Sequence, residues 1–444
     1  MFIDRSTCPQ PKHNIDFNLP SIKHLIFDNK LPIFFIPKSD LPIVQLGLII
    51  NAGSKYDERG KSGTAKLTSM VVDEGAGNFT SLELDNEFET LGTIFNIDAD
   101  KDSTIITMLS LSENFEKSLE LLSQILKFPH FNAADFFRER EKLKTQLLQL
   151  KDQPGYLART AFEKIVFKNS PYSNPINGDM LNIENINVSD VKTFHKNFFG
   201  VNNAELIIVG NINESTLLSY VDKYFSDWIN VASSENNFIK PKEIEKNIYI
   251  IDRKEAPQTE IYIGHISGKR KSKDFYAKLL MNSILGGQFT SRINLNLRED
   301  KGYTYGAHSS FSYYKEFGKF FVSTSVKAEH TGDSIKEILD EIEKIKLEVT
   351  SNEVEFSKSF LIKRFPAQFE TYSQLVHNLA LLSIHSLPLN YFNNYVKNMN
   401  SLSADDVLSA ARKYLHPEKM TIVLVGDKDK ISKQIDLPFT VVQS

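Results

Sequence analysis

The sequence has one cysteine in 444 residues, Cys8, and this scarcity excludes several classes of protein. A single cysteine cannot form an intramolecular disulfide, and it cannot build a zinc site from several thiolates. Hydrophobic runs are also short: the longest, such as residues 46–50, have the length of a strand and fall far below the ~18 residues that a membrane helix needs. Residues 1–20 lack the continuous apolar stretch of a signal peptide. We therefore expect a cytoplasmic protein that does not cross a membrane.

An excess of charge of either sign is missing as well. The 52 basic and 56 acidic residues give a formal net charge of -4. Nucleic-acid binding is therefore not expected, because it depends on basic side chains that neutralise phosphates. The hydrophobic fraction of 41% is ordinary for a globular protein. At roughly 100–200 residues per domain, the length predicts two to four domains with cores of their own.

The ten histidines are not spaced for metal binding, because no two of them lie three to five residues apart. Zinc sites usually include a pair of ligands on one helical turn or in one tight turn. The spacing therefore predicts no zinc site in this chain. A site assembled from histidines that are distant in the sequence stays an alternative, since ligands need only meet in space.

The chain contains two copies of one pattern. Residues 191–199 and Ala204–Gly210 match residues 407–415 and 420–426 at a constant offset of about 216 residues, without a gap. Each copy reads as an amphipathic helix with good capping residues at its start, residues 189–190 in the first copy and 403–406 in the second, followed by a buried strand that ends in glycine. A repeat of this length indicates a duplicated domain and not a solenoid.

Looser matches extend the duplication over most of the chain. Strands are predicted at Ile43–Ile50 and 260–264. Two further strands, which begin at residues 104 and 320, each lead into a helix whose apolar residues lie on one face. We predict an α+β fold of two homologous sandwich domains, residues 1–229 and 247–444, each with a sheet covered by helices. The polar segment 230–246 is the predicted linker.

At this point the residues carry a resemblance to a known family. The first half has Gly-Leu-Ile-Ile-Asn-Ala-Gly-Ser at 47–54, Gly-Thr-Ala-Lys-Leu-Thr-Ser-Met at 63–70 and Glu-Leu-Asp-Asn-Glu-Phe-Glu-Thr-Leu-Gly at 83–92. These stretches resemble the pitrilysin/insulinase family of zinc metallopeptidases, in the processing-peptidase branch with chains of this size. The resemblance covers nearly the whole chain and implies two half-shell domains, in agreement with the internal repeat.

In catalytic members of that family the Gly-x-Ala is followed by H-x-x-E-H on a helix, whose histidines hold zinc while the glutamate polarises water. The corresponding positions here are Lys66, Ser69 and Met70, and the distal zinc-binding glutamate corresponds to Gln146. All four positions are replaced, so the resemblance implies a degenerate zinc motif and no zinc cofactor in this chain. Asp73 and Glu74, just beyond the motif, are expected to be solvated acids at a helix end.

The second half keeps another part of the family pattern. Residues 285–292 and 297–305 contain the stretch in which the family carries an arginine and then a tyrosine, here Arg298 and Tyr305. The resemblance implies that this pair points at a zinc site and stabilises negative charge on the scissile carbonyl. Spacing alone favours the alternative that Tyr305 packs against its neighbours while Arg298 pairs with Glu299, Asp300 or another surface acid, and the combined matches of this stretch to the family pattern reverse that preference.

Two glycines, Gly286 and Gly287, precede this pair at a predicted helix end. Glycine lets another backbone approach closely, which favours a role in binding the substrate peptide. A plain turn that ends the helix explains them equally well.

Together these observations predict a non-catalytic subunit of a two-chain zinc peptidase that degrades or processes unfolded peptides. The chain is expected to be inactive alone, and its partner, a chain of similar length with H-x-x-E-H, is expected to supply the zinc. A second copy of the same chain is the alternative partner. The alternative functions are a homodimeric scaffold or peptide-binding protein without proteolysis, and a self-sufficient peptidase with an unusual metal site.

Overall fold

The computed structural model describes residues 17–232, 241, 246–436 and 438–442. The predicted linker, residues 230–246, lies largely outside these ranges. The first half contains β1 (Lys23–Ile26), β2 (Pro32–Pro37), β3 (Ile43–Ile50), α1 (Thr64–Val71), α2 (Ser81–Thr90), β4 (Ile94–Ala99), β5 (Thr104–Leu111), α3 (Phe115–Lys127), α4 (Ala133–Lys151), α5 (Pro154–Val166), α6 (Met180–Asn185), α7 (Val188–Phe198), β6 (Ala204–Gly210) and α8 (Glu214–Phe225).

The second half repeats this arrangement of strands and helices. It contains β7 (Asn247–Asp252), β8 (Gln258–Ser267), α9 (Phe275–Asn282), α10 (Arg292–Asn294), β9 (Thr304–Tyr313), β10 (Gly318–Lys327), α11 (Thr331–Leu347), α12 (Ser351–Arg364), α13 (Tyr372–Ile384), α14 (Tyr395–Asn400), α15 (Ala404–Tyr414), β11 (Thr421–Gly426), α16 (Lys428–Ile431) and β12 (Phe439–Val442). Two π-helical turns, Ser283–Gly287 and Leu295–Asp300, flank α10.

Each half forms one six-stranded mixed sheet. The strand order is β1-β2-β6-β3-β5-β4 in the first sheet and β12-β7-β11-β8-β10-β9 in the second. Five neighbouring strands therefore follow the same order in both sheets. The outermost strands differ, because β1 is antiparallel to β2 whereas β12 is parallel to β7. The predicted α+β fold with two homologous units is confirmed.

The composition of β3 shows that its sheet is covered on both faces. Seven of its eight residues are buried, and five of these seven are Val, Leu or Ile, as expected for a strand without a solvated face. Leu46 and Leu48 belong to the core beneath the helices of the first half. Ile49, on the opposite face, packs in a core that also contains Val376 of α13.

The two halves exchange helices. Helix α13 of the second half covers the first sheet, and α5 of the first half covers the second sheet, where Phe162 packs with Tyr262 and Val423. The sequence pattern predicted that each domain has its own covering helices and gave no sign of this exchange. Because each sheet depends on a helix from the other half, the two halves are expected to unfold together.

None of the described helices combines the length and the apolar composition that crossing a bilayer would require.

Candidate functional site

The helix that carries the degenerate motif is α1. Gly63 caps its first turn with a φ of 102°, which is unfavourable for residues other than glycine. The carboxylate of Asp57 accepts hydrogen bonds from the backbone N–H groups of Gly63 (2.7 Å) and Ala65 (2.8 Å). These bonds satisfy backbone donors that have no partner within the helix. Burial raises the pKa of Asp57 to about 7, although the two N–H donors act against this shift.

Lys66 forms an ion pair at the first motif position. Its Nζ lies 2.6 Å from Oδ1 of Asp98, at the exposed edge of the first sheet in β4. The Ser69 hydroxyl donates to the carbonyl of Lys66 one turn earlier, and the Met70 side chain packs against the first core. Gln146 is exposed on α4, a helix that packs against α1.

The residues at these four positions do not fit a zinc ion. Zinc takes imidazole nitrogen, thiolate sulfur or carboxylate oxygen, whereas this set offers an ammonium, a hydroxyl, a thioether and an amide. Throughout the described part of the chain, no three histidine, cysteine, aspartate or glutamate side chains form a group that could hold a metal ion.

The acids beyond the motif differ from the expectation of solvated side chains. Asp73 is half-buried, and its burial, with further contributions from Glu74 and Asp85, raises its pKa to about 7. Glu74 is also half-buried and forms an ion pair with Arg138 of α4. The local sequence does not reveal the ion pair of Glu74, because Arg138 of α4 lies more than sixty residues further along the chain.

Arg298 and Tyr305 lie on either side of one junction between helix and strand. Arg298 is in the π-helical turn before β9, and Tyr305 is the second residue of β9. Tyr305 is 93% exposed, so it does not pack against its neighbours. The Arg298 guanidinium lies 4.2 Å from the ring centroid of Phe289, which is itself 63% exposed, and 3.3 Å from the Glu299 carboxylate.

Gly286 and Gly287 end the π-helical turn that faces β9. A Cβ on Gly286 would lie 2.8 Å from the backbone nitrogen of Ser309, and one on Gly287 would lie 2.7 Å from Nδ2 of Asn282. Both distances are shorter than real Cβ contacts allow. Packing within the chain therefore requires both glycines, whether or not a peptide approaches them.

A cavity of about 570 Å³ lies between the two halves, bordered by Lys66 of the degenerate motif. Its lining comes from α1, α5 and the β4–β5 turn of the first half and from β8, β9 and β10 of the second. The size falls within the range of small-ligand and peptide sites. This cavity leaves no signal in the sequence, because its walls come from segments that are far apart in the chain.

The floor of the cavity is a buried ionic group centred on Glu163 of α5. Lys319 of β10 donates to one carboxylate oxygen of Glu163, Lys101 lies 3.4 Å from the other, and the Tyr314 hydroxyl donates at 3.1 Å. Burial alone would raise the pKa of Glu163, but the two lysines outweigh it and lower that pKa. Because Lys319 and Tyr314 belong to the second half, this group ties the halves together.

Comparison with known proteins agrees with this architecture. Residues 35–180 match the family model "Insulinase (Peptidase family M16)", and residues 185–361 match "Peptidase M16 inactive domain". The chain belongs to peptidase family M16. The two matches together span well over half of the chain, and the second begins within the first half, at the end of α6.

The proteins similar to this chain include some named as peptidases and some named as non-peptidases. The chain is 23% identical over 407 residues to the "Non-peptidase homolog YmxG" of Helicobacter pylori, covering 90% of this chain and 93% of that protein. It is 22% identical over 416 residues to "Zinc protease PqqE" of the same organism, covering 92% and 93%. The crystal structure of a "peptidase M16 inactive domain" from Pseudomonas fluorescens superposes with a TM-score of 0.86 at 25% identity, covering 92% of this chain and 98% of that one.

Proposed function

We propose that this chain is the non-catalytic subunit of a two-chain zinc peptidase that degrades or processes unfolded peptides. The partner is an M16 chain of similar length that carries H-x-x-E-H and the zinc. This chain supplies Arg298 and Tyr305 to the partner's site. In this account the chain alone hydrolyses no peptide, since the side chains at its own motif positions are not zinc ligands.

The exposure of Tyr305 is the observation that carries the proposal. A tyrosine that is 93% exposed contributes almost nothing to the stability of its own chain, and its hydroxyl is free to meet a group of another molecule. Arg298, seven residues earlier in the chain, stacks on the exposed ring of Phe289. Arginine and exposed aromatic rings are the residues that most often dominate protein–protein interfaces.

The chemistry of the pair suits a site of peptide hydrolysis. As the scissile carbonyl is attacked, negative charge develops on its oxygen, and a phenolic O–H together with a guanidinium can donate hydrogen bonds to it. Packing against Phe289 restricts the Arg298 side chain, so less conformational entropy is lost when the guanidinium binds the oxyanion. Both groups would act without changing their own protonation state.

The relatives give this proposal a precedent in type. Helicobacter pylori has both a protein named as a non-peptidase homologue and one named as a zinc protease, and this chain is similar to each over most of its length. Two such chains are what a shared site requires. The alternative, a homodimer that only binds peptides or serves as a scaffold, gives no chemical use to Arg298 and Tyr305.

Reconstitution tests the proposal. The purified chain and an H-x-x-E-H chain of similar length from the same organism are assayed separately and mixed, with an unfolded, internally quenched peptide as substrate. We expect no hydrolysis by this chain, little by the partner alone, and full activity in the mixture. If the partner alone is as active as the mixture, the shared-site proposal is wrong. Stoichiometric zinc in this chain purified alone would contradict it as well.

A further inference from the structure

The cavity between the halves has more positive than negative side chains. Four basic residues line it, against three carboxylates. Lys66 is paired with Asp98, and Glu163 is shared by two lysines, so one carboxylate serves two cations. The third carboxylate, Asp100, accepts hydrogen bonds from the backbone N–H groups of residues 102 and 103, which orients it toward its own loop.

Arg159 is the basic residue that stays unpaired. It is exposed on α5, one turn before Glu163, and no carboxylate forms an ion pair with it in the part of the chain that the structure describes. The ring of Tyr156 lies below the guanidinium at 5.8 Å. A guanidinium with free N–H groups matches a carboxylate with two parallel hydrogen bonds, and it cannot lose its charge.

The cavity is bordered by two sheet edges. Asp98 and Ala99 come from β4, the last strand of the first sheet, and residues 310–312 come from β9, the last strand of the second. In the described part of the chain each of these strands pairs on one side only. Such edges present free backbone N–H and C=O groups to an extended chain. An extended peptide therefore fits the lining better than a compact solute.

We propose that the cavity beside the degenerate zinc motif binds an extended peptide through an acidic side chain, whose carboxylate pairs with Arg159. Lys66, at the first position of the degenerate motif, also lines the cavity, but its charge is already paired with Asp98. The proposal goes beyond the shared active site, because this binding is a property of the chain alone. If the chain binds acidic peptides but restores no hydrolysis when mixed with an H-x-x-E-H chain, this proposal is supported and the proposed shared active site is not.

Fluorescence anisotropy of the isolated full-length chain tests the proposal. The probe is a labelled, unstructured decapeptide with glutamate at alternating positions, and the matched peptide has glutamine at those positions. Both carry a C-terminal amide, so that only side chains supply carboxylates. We expect the glutamate peptide to bind about 10- to 100-fold more tightly than the glutamine peptide, as for hydrogen bonds between charged groups. Equal affinities, or no binding of either peptide, would overturn the proposal.

Variants assign the binding to the cavity. Arg159→Gln is expected to remove the preference for the glutamate peptide. The control is Arg364→Gln, at an exposed arginine of α12 that also lies near an aromatic ring, that of Phe360, and it is expected to leave the preference unchanged. Thr160→Glu, which places a negative charge in the lining, should abolish binding of the glutamate peptide by an independent route. Wild-type affinity in both cavity variants would refute the site.

A competition experiment separates the peptide carboxylate from other anions. Millimolar acetate should displace little of the peptide, because a single carboxylate lacks the backbone contacts. Strong displacement by millimolar inorganic phosphate, with none by acetate, would assign the cavity to a phosphate ligand and overturn the proposal of a peptide site.

Discussion

The buried ionic group at Glu163 predicts how strongly the two halves depend on each other. Glu163→Gln keeps the shape of the side chain but removes the charge that neutralises Lys101 and Lys319. These lysines are 2% and 3% exposed, so water cannot replace the lost carboxylate. Removing one partner of a buried ion pair lowers the free energy of unfolding by about 3–5 kcal/mol. We expect the lower end, about 3 kcal/mol, because both lysines keep other oxygen atoms as acceptors.

Urea unfolding measures this effect. The single tryptophan, Trp228, is buried in the first half and reports its unfolding by fluorescence, while circular dichroism reports both halves. With a urea dependence of about 3 kcal/mol per molar, the transition midpoint should fall by about 1 M. Both probes should move together, since Glu163 connects the halves through Lys319 and Tyr314.

A matched control shows whether burial causes the loss. Glu120→Gln removes a carboxylate that pairs with Lys117 on the surface of α3, and its midpoint should stay within the error of the fit. If Glu163→Gln lowers the midpoint no more than this control does, the ionic group does not hold the halves together. A shift seen by only one probe would show that the halves unfold separately.

Two further substitutions test particular packing features. Asp73→Asn should raise the free energy of unfolding by about 1–4 kcal/mol at pH 8 and change it little near pH 4. The pKa of Asp73, raised to about 7, makes folding less favourable as the pH rises from about 4 through 7. Asparagine cannot ionise and removes this loss. Asp222→Asn, at an exposed aspartate of α8, should show no such pH dependence in parallel thermal melts. Gly47→Ala should destabilise the chain by about 1–3 kcal/mol, since the new Cβ would lie 2.4 Å from a methyl of Val376 on α13. Gly268→Ala, which meets no atom within 4 Å, should be neutral in the same urea titration, and equal effects of the two alanines would contradict the close packing of α13 on β3.

The strands could be predicted from the sequence because their signals are local. The bounds predicted for β3 and β6, Ile43–Ile50 and Ala204–Gly210, agree with the structure, since each segment is rich in Ile, Leu and Val and is bordered by polar or turn residues. The first residue of a helix leaves a weaker signal in the sequence, because several neighbouring polar residues can cap it. The sequence suggested residues 189–190 as the cap of α7, whereas Asn187 caps it together with Asp190, because an asparagine two residues earlier forms the same hydrogen bonds.

The exchange of helices and the cavity could not be predicted in this way. Nothing in the local pattern of α5 distinguishes a helix that covers its own sheet from one that covers the sheet of the other half. Glu163 illustrates the difficulty, since its partners Lys101 and Lys319 are more than sixty and one hundred and fifty residues away. Tertiary contacts of this range leave no trace in a single sequence.

At the candidate site, the sequence identified positions and left their roles open. The replacement of the zinc ligands can be read directly from Lys66, Ser69 and Met70. For Tyr305, spacing alone allowed either packing or function, and only its full exposure in the structure removes the packing alternative. The roles of Arg298 and of the two glycines stay predictions that depend on the partner chain.

The turnover of the reconstituted pair with Tyr305→Phe tests the central claim most directly. Phenylalanine keeps the ring and removes only the hydroxyl, so assembly should be unaffected while kcat falls by roughly 10- to 1000-fold, the range for losing one donor to an oxyanion. Tyr303→Phe, two residues away on a ring that stacks on His330, is the matched control and should keep full turnover. Unchanged kcat with Tyr305→Phe in a fully assembled complex would contradict the claim that this chain contributes to its partner's active site.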